Sequence, residues 1–84
     1  MARRTRAELR DNLKAGNLTL TQVFDLADTE EVVGRTRLLY ILESLPKAGR
    51  VKARNTIEDT KIAESRRVAG VGSRQRTDLL DRLS

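Results

Sequence analysis

Two short stretches of this sequence combine residue types that can hold an anion: Pro46-Lys47-Ala48-Gly49-Arg50 and Gly70-Val71-Gly72-Ser73-Arg74. In each, a glycine-containing turn runs into a segment that reads as a helix, with cations at the helix start. The first turn of a helix exposes backbone N–H groups that lack intrahelical partners and carries about half a positive charge, so it attracts phosphate or carboxylate. Glycine removes the Cβ from the path of approach, and a neighbouring lysine or arginine adds charge-assisted hydrogen bonds. A plain interhelical turn would also use Gly49 and Gly72. The recurrence of the arrangement within one basic chain, with Arg66 and Arg67 close to the second copy, favours phosphate contact.

Other chemistries are poorly served. Among the 84 residues there is neither cysteine nor histidine, which excludes disulfides, thiolate or imidazole metal sites, cysteine nucleophiles and imidazole-based triads. The carboxylates fall into no metal-ligand or acid/base spacing and read as helix caps and partners of arginine. No catalytic residue, metal or cofactor is expected, and the chain is not expected to be an enzyme. There is no apolar run long enough for a membrane span and no signal-peptide pattern, so a cytoplasmic protein with no membrane partner is expected.

The formal charge of +5 is unevenly distributed. Residues 1–16 place Arg3, Arg4, Arg6, Arg10 and Lys14 against Glu8 and Asp11, whereas residues 17–34 contain Asp25, Asp28, Glu30 and Glu31 and no basic residue. From Arg35 onward the chain is basic again. Two basic segments flank an acidic one, as in a molecule that turns one face to a polyanion and the other away from it.

Helices must position these groups, because the apolar spacing is helical and strand alternation is scarce. A first helix is expected over about Arg4–Ala15, stopped by Gly16. At 100° per residue its Arg3, Arg6, Arg10 and Lys14 fall within about 80°, with Leu9 and Leu13 on another side. That stripe is either a partner surface or a solvated face. Thr19 with Gln22, and Asp28 with Glu31, fit capping boxes, so short helices are expected from near Leu20 and Thr29. Leu38, Ile41, Leu42 and Leu45 share the stripe of a buried helix that Pro46 ends. A further helix is expected over about Arg50–Lys61, with Ala53, Thr56, Ile57 and Thr60 on one side, and Arg50, Arg54 and Lys61 beside them. The last helix, Arg74–Leu83, is expected to start at an N-cap Ser73 and to bury Leu79, Leu80 and Leu83.

A basic, all-helical chain of this size suits nucleic acid, and its composition narrows the type. Phe24 and Tyr40 are the only aromatic residues, so no platform for stacking splayed bases is available. Backbone amides and arginines that meet phosphates suit a duplex, and the scarcity of asparagine and glutamine in the basic segments limits base readout. The expected mode is weakly sequence-specific contact with the backbone or minor groove of double-stranded DNA, accompanied by bending.

Five stretches carry a family resemblance: AELRDNLK (7–14), NLTLTQV (17–23), DTEEVVG (28–34), LESLPKAGRVKA (42–53) and IAESRRVAGVGSRQRTDLL (62–80). In this combination they resemble the actinobacterial integration host factor family. The resemblance implies an all-α fold: a small single domain of about five helices containing a helix-two-turns-helix module similar to that of ribosomal protein S13. Residues 1–16 would form a basic N-terminal helix and 17–84 the S13-like domain, together one compact unit. It also implies a monomeric nucleoid-associated protein that binds duplex DNA, alters supercoiling and supports site-specific recombination with phage integrase complexes.

The contacts expected on this basis are Lys47, Ala48, Gly49, Arg50, Lys52, Arg54, Arg66, Arg67, Gly72, Ser73, Arg74 and Arg76, with Arg3, Arg4, Arg6 and Arg10 as additional ones. The family often has an arginine where this chain has Ala69. An RNA-binding or ribosome-associated module remains an alternative, as does a protein-interaction module using the acidic segment 17–34.

Overall fold

The computed structural model describes residues 5–46 and 48–83. Arg3, Arg4 and Lys47 lie outside the described residues. Among the described residues six α-helices follow one another: α1 (Arg6–Lys14), α2 (Leu20–Ala27), α3 (Glu31–Arg35), α4 (Leu38–Ser44), α5 (Gly49–Asp59) and α6 (Ser73–Leu83), with a 3₁₀ turn, Val68–Gly70, before the last. There is no strand among the described residues.

Local chemistry explains most of the boundaries. Thr5 accepts a hydrogen bond from the Glu8 amide, and α1 starts at Arg6, two residues after the expected start. At the other end Gly16, with φ +78°, turns the chain, the Asn17 amide reaching back to the Asn12 carbonyl. The capping box of α2 forms as the sequence indicates: the Thr19 hydroxyl accepts from the Gln22 amide while the Gln22 side chain accepts from the Thr19 amide. The box anticipated at Asp28 and Glu31 does not form. Asp28 closes α2, and α3 starts beyond it at Glu31 without a side-chain cap. Likewise α6 takes Gly72, not Ser73, as its N-cap position: the Arg76 amide bonds to the Gly72 carbonyl, and Gln75 reaches back to the Gly72 amide.

α4 is the centre of the packing. Its Leu38, Ile41 and Leu42 are wholly buried, with α1 on one side and α5 on another. Leu9 and Leu13 of α1, Val23 and Phe24 of α2, Val33 of α3, Ala53 and Ile57 of α5 and Leu79 of α6 complete one continuous core. Leu45, Leu80 and Leu83 pack against it while remaining partly exposed. Two glycine-dependent features shape this arrangement. Gly49, φ +69°, follows the Leu45–Ala48 turn and lets α5 leave at an angle other side chains resist. At Gly34 space is the constraint instead: a Cβ there would stand 3.0 Å from the Ala27 carbonyl oxygen and 3.2 Å from the Ala69 Cβ.

Across the front of α4 the chain makes one sheet-like contact. The Leu38 amide donates to the Arg66 carbonyl at 2.8 Å and the Val68 amide to the Thr36 carbonyl at 2.9 Å, which pairs Arg37 with Arg67 as an isolated antiparallel bridge.

Candidate nucleic-acid interface

That bridge gathers cations from distant parts of the sequence. Residues opposite one another in an antiparallel pair have neighbouring side chains, so Arg37 and Arg67 stand side by side. Arg6 from the first turn of α1 and Arg35 from the end of α3 line the same concavity, with Thr36 and Tyr40. Arg35 is paired with Glu31 one helical turn away. The side chains of Arg6, Arg37 and Arg67 make no ion pair or hydrogen bond with other described residues. Four guanidinium groups around one polar hollow give it a high density of positive charge. Arg6 and Arg67 were both anticipated from the sequence. Arg35 and Arg37 were not, because neither lies in a glycine turn or on a basic helical stripe; the sequence signal was only their position after the acidic segment.

The start of α5 is the second basic locus. No side chain caps this helix, in contrast to α1 and α2, so its leading amides are left for solvent or an anion. Gly49 is exposed and has open space where a Cβ would stand. Arg50 is 88% exposed, its Nε 4.0 Å from a Glu43 carboxylate oxygen, at the limit of an ion pair. Lys52 and Arg54 are exposed and unpaired among the described residues. Ala48 is partly buried and closes the preceding turn. Lys52 lines a different concavity from the arginine cluster, an apolar groove between Leu18, Leu20, Leu45, Leu80 and Leu83.

The third locus is the segment leading into α6. Arg66 bends over Gly70, donating from Nη1 to its carbonyl at 3.3 Å. Gly72, Ser73 and Arg74 are exposed, and Arg74 has no partner among the described residues. Arg76 is different from the other anticipated contacts: its guanidinium faces inward, over the Phe24 ring and toward Val71 and Asp28. On α1, Arg10 is half-buried and bonded to Asp11 at 3.4 Å.

The surface offers no platform for stacking bases among the described residues. Phe24 is 3% exposed and Tyr40 partly buried, so neither forms a stacking platform. Among the described residues no group of three or more acidic side chains is arranged to hold a metal, and no helix is long and apolar enough to cross a membrane.

Known proteins share both the sequence and this shape. A family model, the S13-like H2TH domain, matches residues 13–83. Proteins called integration host factor are similar to the chain: that of Mycobacterium tuberculosis is 48% identical over 81 residues, which cover 96% of this chain and 77% of the relative. The Streptomyces coelicolor protein is 42% identical over 74 residues, covering 88% and 69%. The solved structure of sIHF bound to an 8-base-pair palindromic DNA superposes with a TM-score of 0.88 at 37% identity, over 94% of this chain and 89% of that one.

Proposed function

The chain belongs to the integration host factor family, which is built on the S13-like H2TH domain, and from that premise we propose that it is a non-enzymatic architectural protein of the nucleoid that binds duplex DNA through its phosphate backbone. The observation that carries this reading is a set of exposed cations without protein partners among the described residues: Arg6, Arg37, Arg67, Lys52, Arg54 and Arg74. The nearest paired acids engage other arginines, Glu31 with Arg35, Asp28 with Arg76, and Asp59 and Asp78 with Arg82.

In this mode the uncapped start of α5, with Gly49 giving open access, donates amides to one phosphate while Arg50 and Lys52 flank it. The Gly72–Arg74 start of α6 holds another. The hollow between Arg6, Arg35, Arg37 and Arg67 takes a further stretch of backbone. Contacts of this kind fix position on the duplex without reading bases, so specificity is low and comes from how readily the duplex deforms. Constraint of bending and supercoiling follows from gripping the backbone at several places. The protein acts as a monomer, and its part in site-specific recombination is to shape DNA within phage integrase complexes.

Duplex DNA is favoured over RNA because the solved relative is bound to DNA and because no exposed aromatic is present to stack unpaired bases. The test is a binding titration across salt concentrations: contact with about four to six phosphates predicts log K falling with log salt at a slope of about −4 to −5. A slope near zero, or structured RNA outcompeting duplex DNA, would overturn it.

A further inference from the structure

We propose that Arg76 is a positioning residue for DNA binding: it does not meet phosphate but locks the Gly72–Arg74 helix start in place through Val71, Phe24 and Asp28. The proposal rests on the duplex-binding function above and concerns how one of its surfaces is held.

Three contacts converge on one guanidinium. Its Nε donates to the Val71 carbonyl at 3.1 Å. Its central carbon lies 5.0 Å from the centroid of the Phe24 ring, within the range of a cation–π contact. Its Nη2 approaches a carboxylate oxygen of Asp28 to 3.8 Å. The side chain is only 24% exposed, and the partners belong to two elements: α2 supplies Phe24 and its closing residue Asp28, and Val71 immediately precedes the turn into α6.

The turn needs such a tie. Gly72 stands at the N-cap position and has no side chain to cap the helix, so the start of α6 is organised from inside the helix. Gln75 accepts from the Gly72 amide at 3.0 Å, the Arg76 amide donates to the Gly72 carbonyl at 2.9 Å, and the Arg76 side chain satisfies the Val71 carbonyl just upstream. Without the last of these, the peptide between Val71 and Gly72 keeps only the Gln75 bond to its amide and the buried Val71 side chain. Since Phe24 is a core residue, Arg76 couples the aim of the Ser73 and Arg74 amides to the rigid interior.

Only arginine meets all three demands together. Its planar fork can donate along one edge, pair along another and stack by its face, whereas a lysine ammonium is a compact, strongly hydrated point charge on a flexible aliphatic stem. Lysine is nevertheless a competent phosphate ligand. Arg76→Lys therefore separates the two roles: a direct phosphate contact survives the change, and a clamp does not. Asp28→Asn separates them by sign. Neutralising any exposed carboxylate strengthens the pull on a polyanion, so Asp25→Asn is the reference: freeing a phosphate-binding arginine makes Asp28→Asn bind more tightly than that variant, whereas loosening a clamp makes it bind less tightly.

The experiment measures duplex affinity at one salt concentration for the wild type, Arg76→Lys, Arg76→Met, Asp28→Asn and Asp25→Asn, with Arg82→Lys, at an arginine paired with Asp59 and Asp78, as a control, alongside backbone amide NMR spectra of each free protein. Arg76→Lys and Arg76→Met are expected to lose affinity alike, roughly tenfold, within the coupling seen among residues of one hydrogen-bond network. The Gly72 and Ser73 amide resonances shift without DNA, and Arg82→Lys binds within about twofold of the wild type. Arg76→Lys binding as the wild type does, or Asp28→Asn binding more tightly than Asp25→Asn, overturns the proposal. Asp28 is exposed, so its variant keeps the test valid if Arg76 variants fold poorly. If the wild type itself does not bind duplex DNA, the functional reading fails, and unshifted Gly72 and Ser73 amides in Arg76→Lys then overturn the clamp by themselves.

Discussion

Arg37 and Arg67 sit opposite one another in a two-residue antiparallel bridge, held by the Leu38 amide on the Arg66 carbonyl and the Val68 amide on the Thr36 carbonyl. Backbone hydrogen bonds thus hold two like charges together, an arrangement that favours a bound anion. Replacing both with alanine leaves the bridge intact, since it uses main-chain atoms alone. Duplex affinity is expected to fall, and the slope of log K against log salt to become shallower by about 2, one for each lost phosphate contact. Titrations of both proteins at several salt concentrations measure the difference.

At the α5 start, Arg50→Ala combined with Lys52→Ala is expected to weaken binding to all duplex sequences about equally and to leave helicity unchanged, because both side chains are exposed and neither packs in the core. Affinities for several unrelated duplexes, with circular dichroism as the control for folding, check this. A loss of helical signal would mean that the turn is structural only.

Lys61 occupies the left-handed region, φ 57°, where α5 ends and the Ile62 amide reaches the Ile57 carbonyl. Glycine adopts this conformation without the Cβ penalty of about 1–2 kcal/mol. After allowing for glycine's greater freedom in the unfolded chain, Lys61→Gly is expected to stabilise by about 1 kcal/mol and to raise Tm by roughly 4–8 °C for a domain of this size. Thermal unfolding of the two proteins decides it.

Gly34→Ala should act in the opposite direction. The added methyl meets the Ala27 carbonyl oxygen at 3.0 Å and the Ala69 Cβ at 3.2 Å, so α3 must move from the end of α2. Overpacking of this kind costs about 1–3 kcal/mol, more than the gain in helix propensity of up to about 1 kcal/mol. A lower Tm in thermal unfolding is the expected result.

Much of the molecule could be read from its residues in order. The i, i+3, i+4 spacing of Leu38, Ile41 and Leu42 identified the buried helix, Thr19 with Gln22 identified a helix start, and Gly16 identified a helix stop, because each signal acts between residues a few positions apart. The two glycine turns were legible for the same reason, as was the membership of Arg6 and Arg67 among the exposed cations. Asp28 shows the limit of such signals: a box spaced correctly for a helix start was instead the end of α2, where its carboxylate faces Arg76.

What the order of residues determined is a set of amphipathic helices, their core faces and the local chemistry of their ends, all of which depend on short-range geometry. Tertiary structure alone decided which cations share a surface. Arg35 and Arg37 join Arg6 and Arg67 because segments about thirty residues apart pair through backbone atoms, and those atoms are the same for every side chain and so leave no mark in the sequence. The same holds for Arg76: whether an arginine faces water or folds over a phenylalanine is settled by where α2 comes to rest against α6, and no spacing along the chain encodes that.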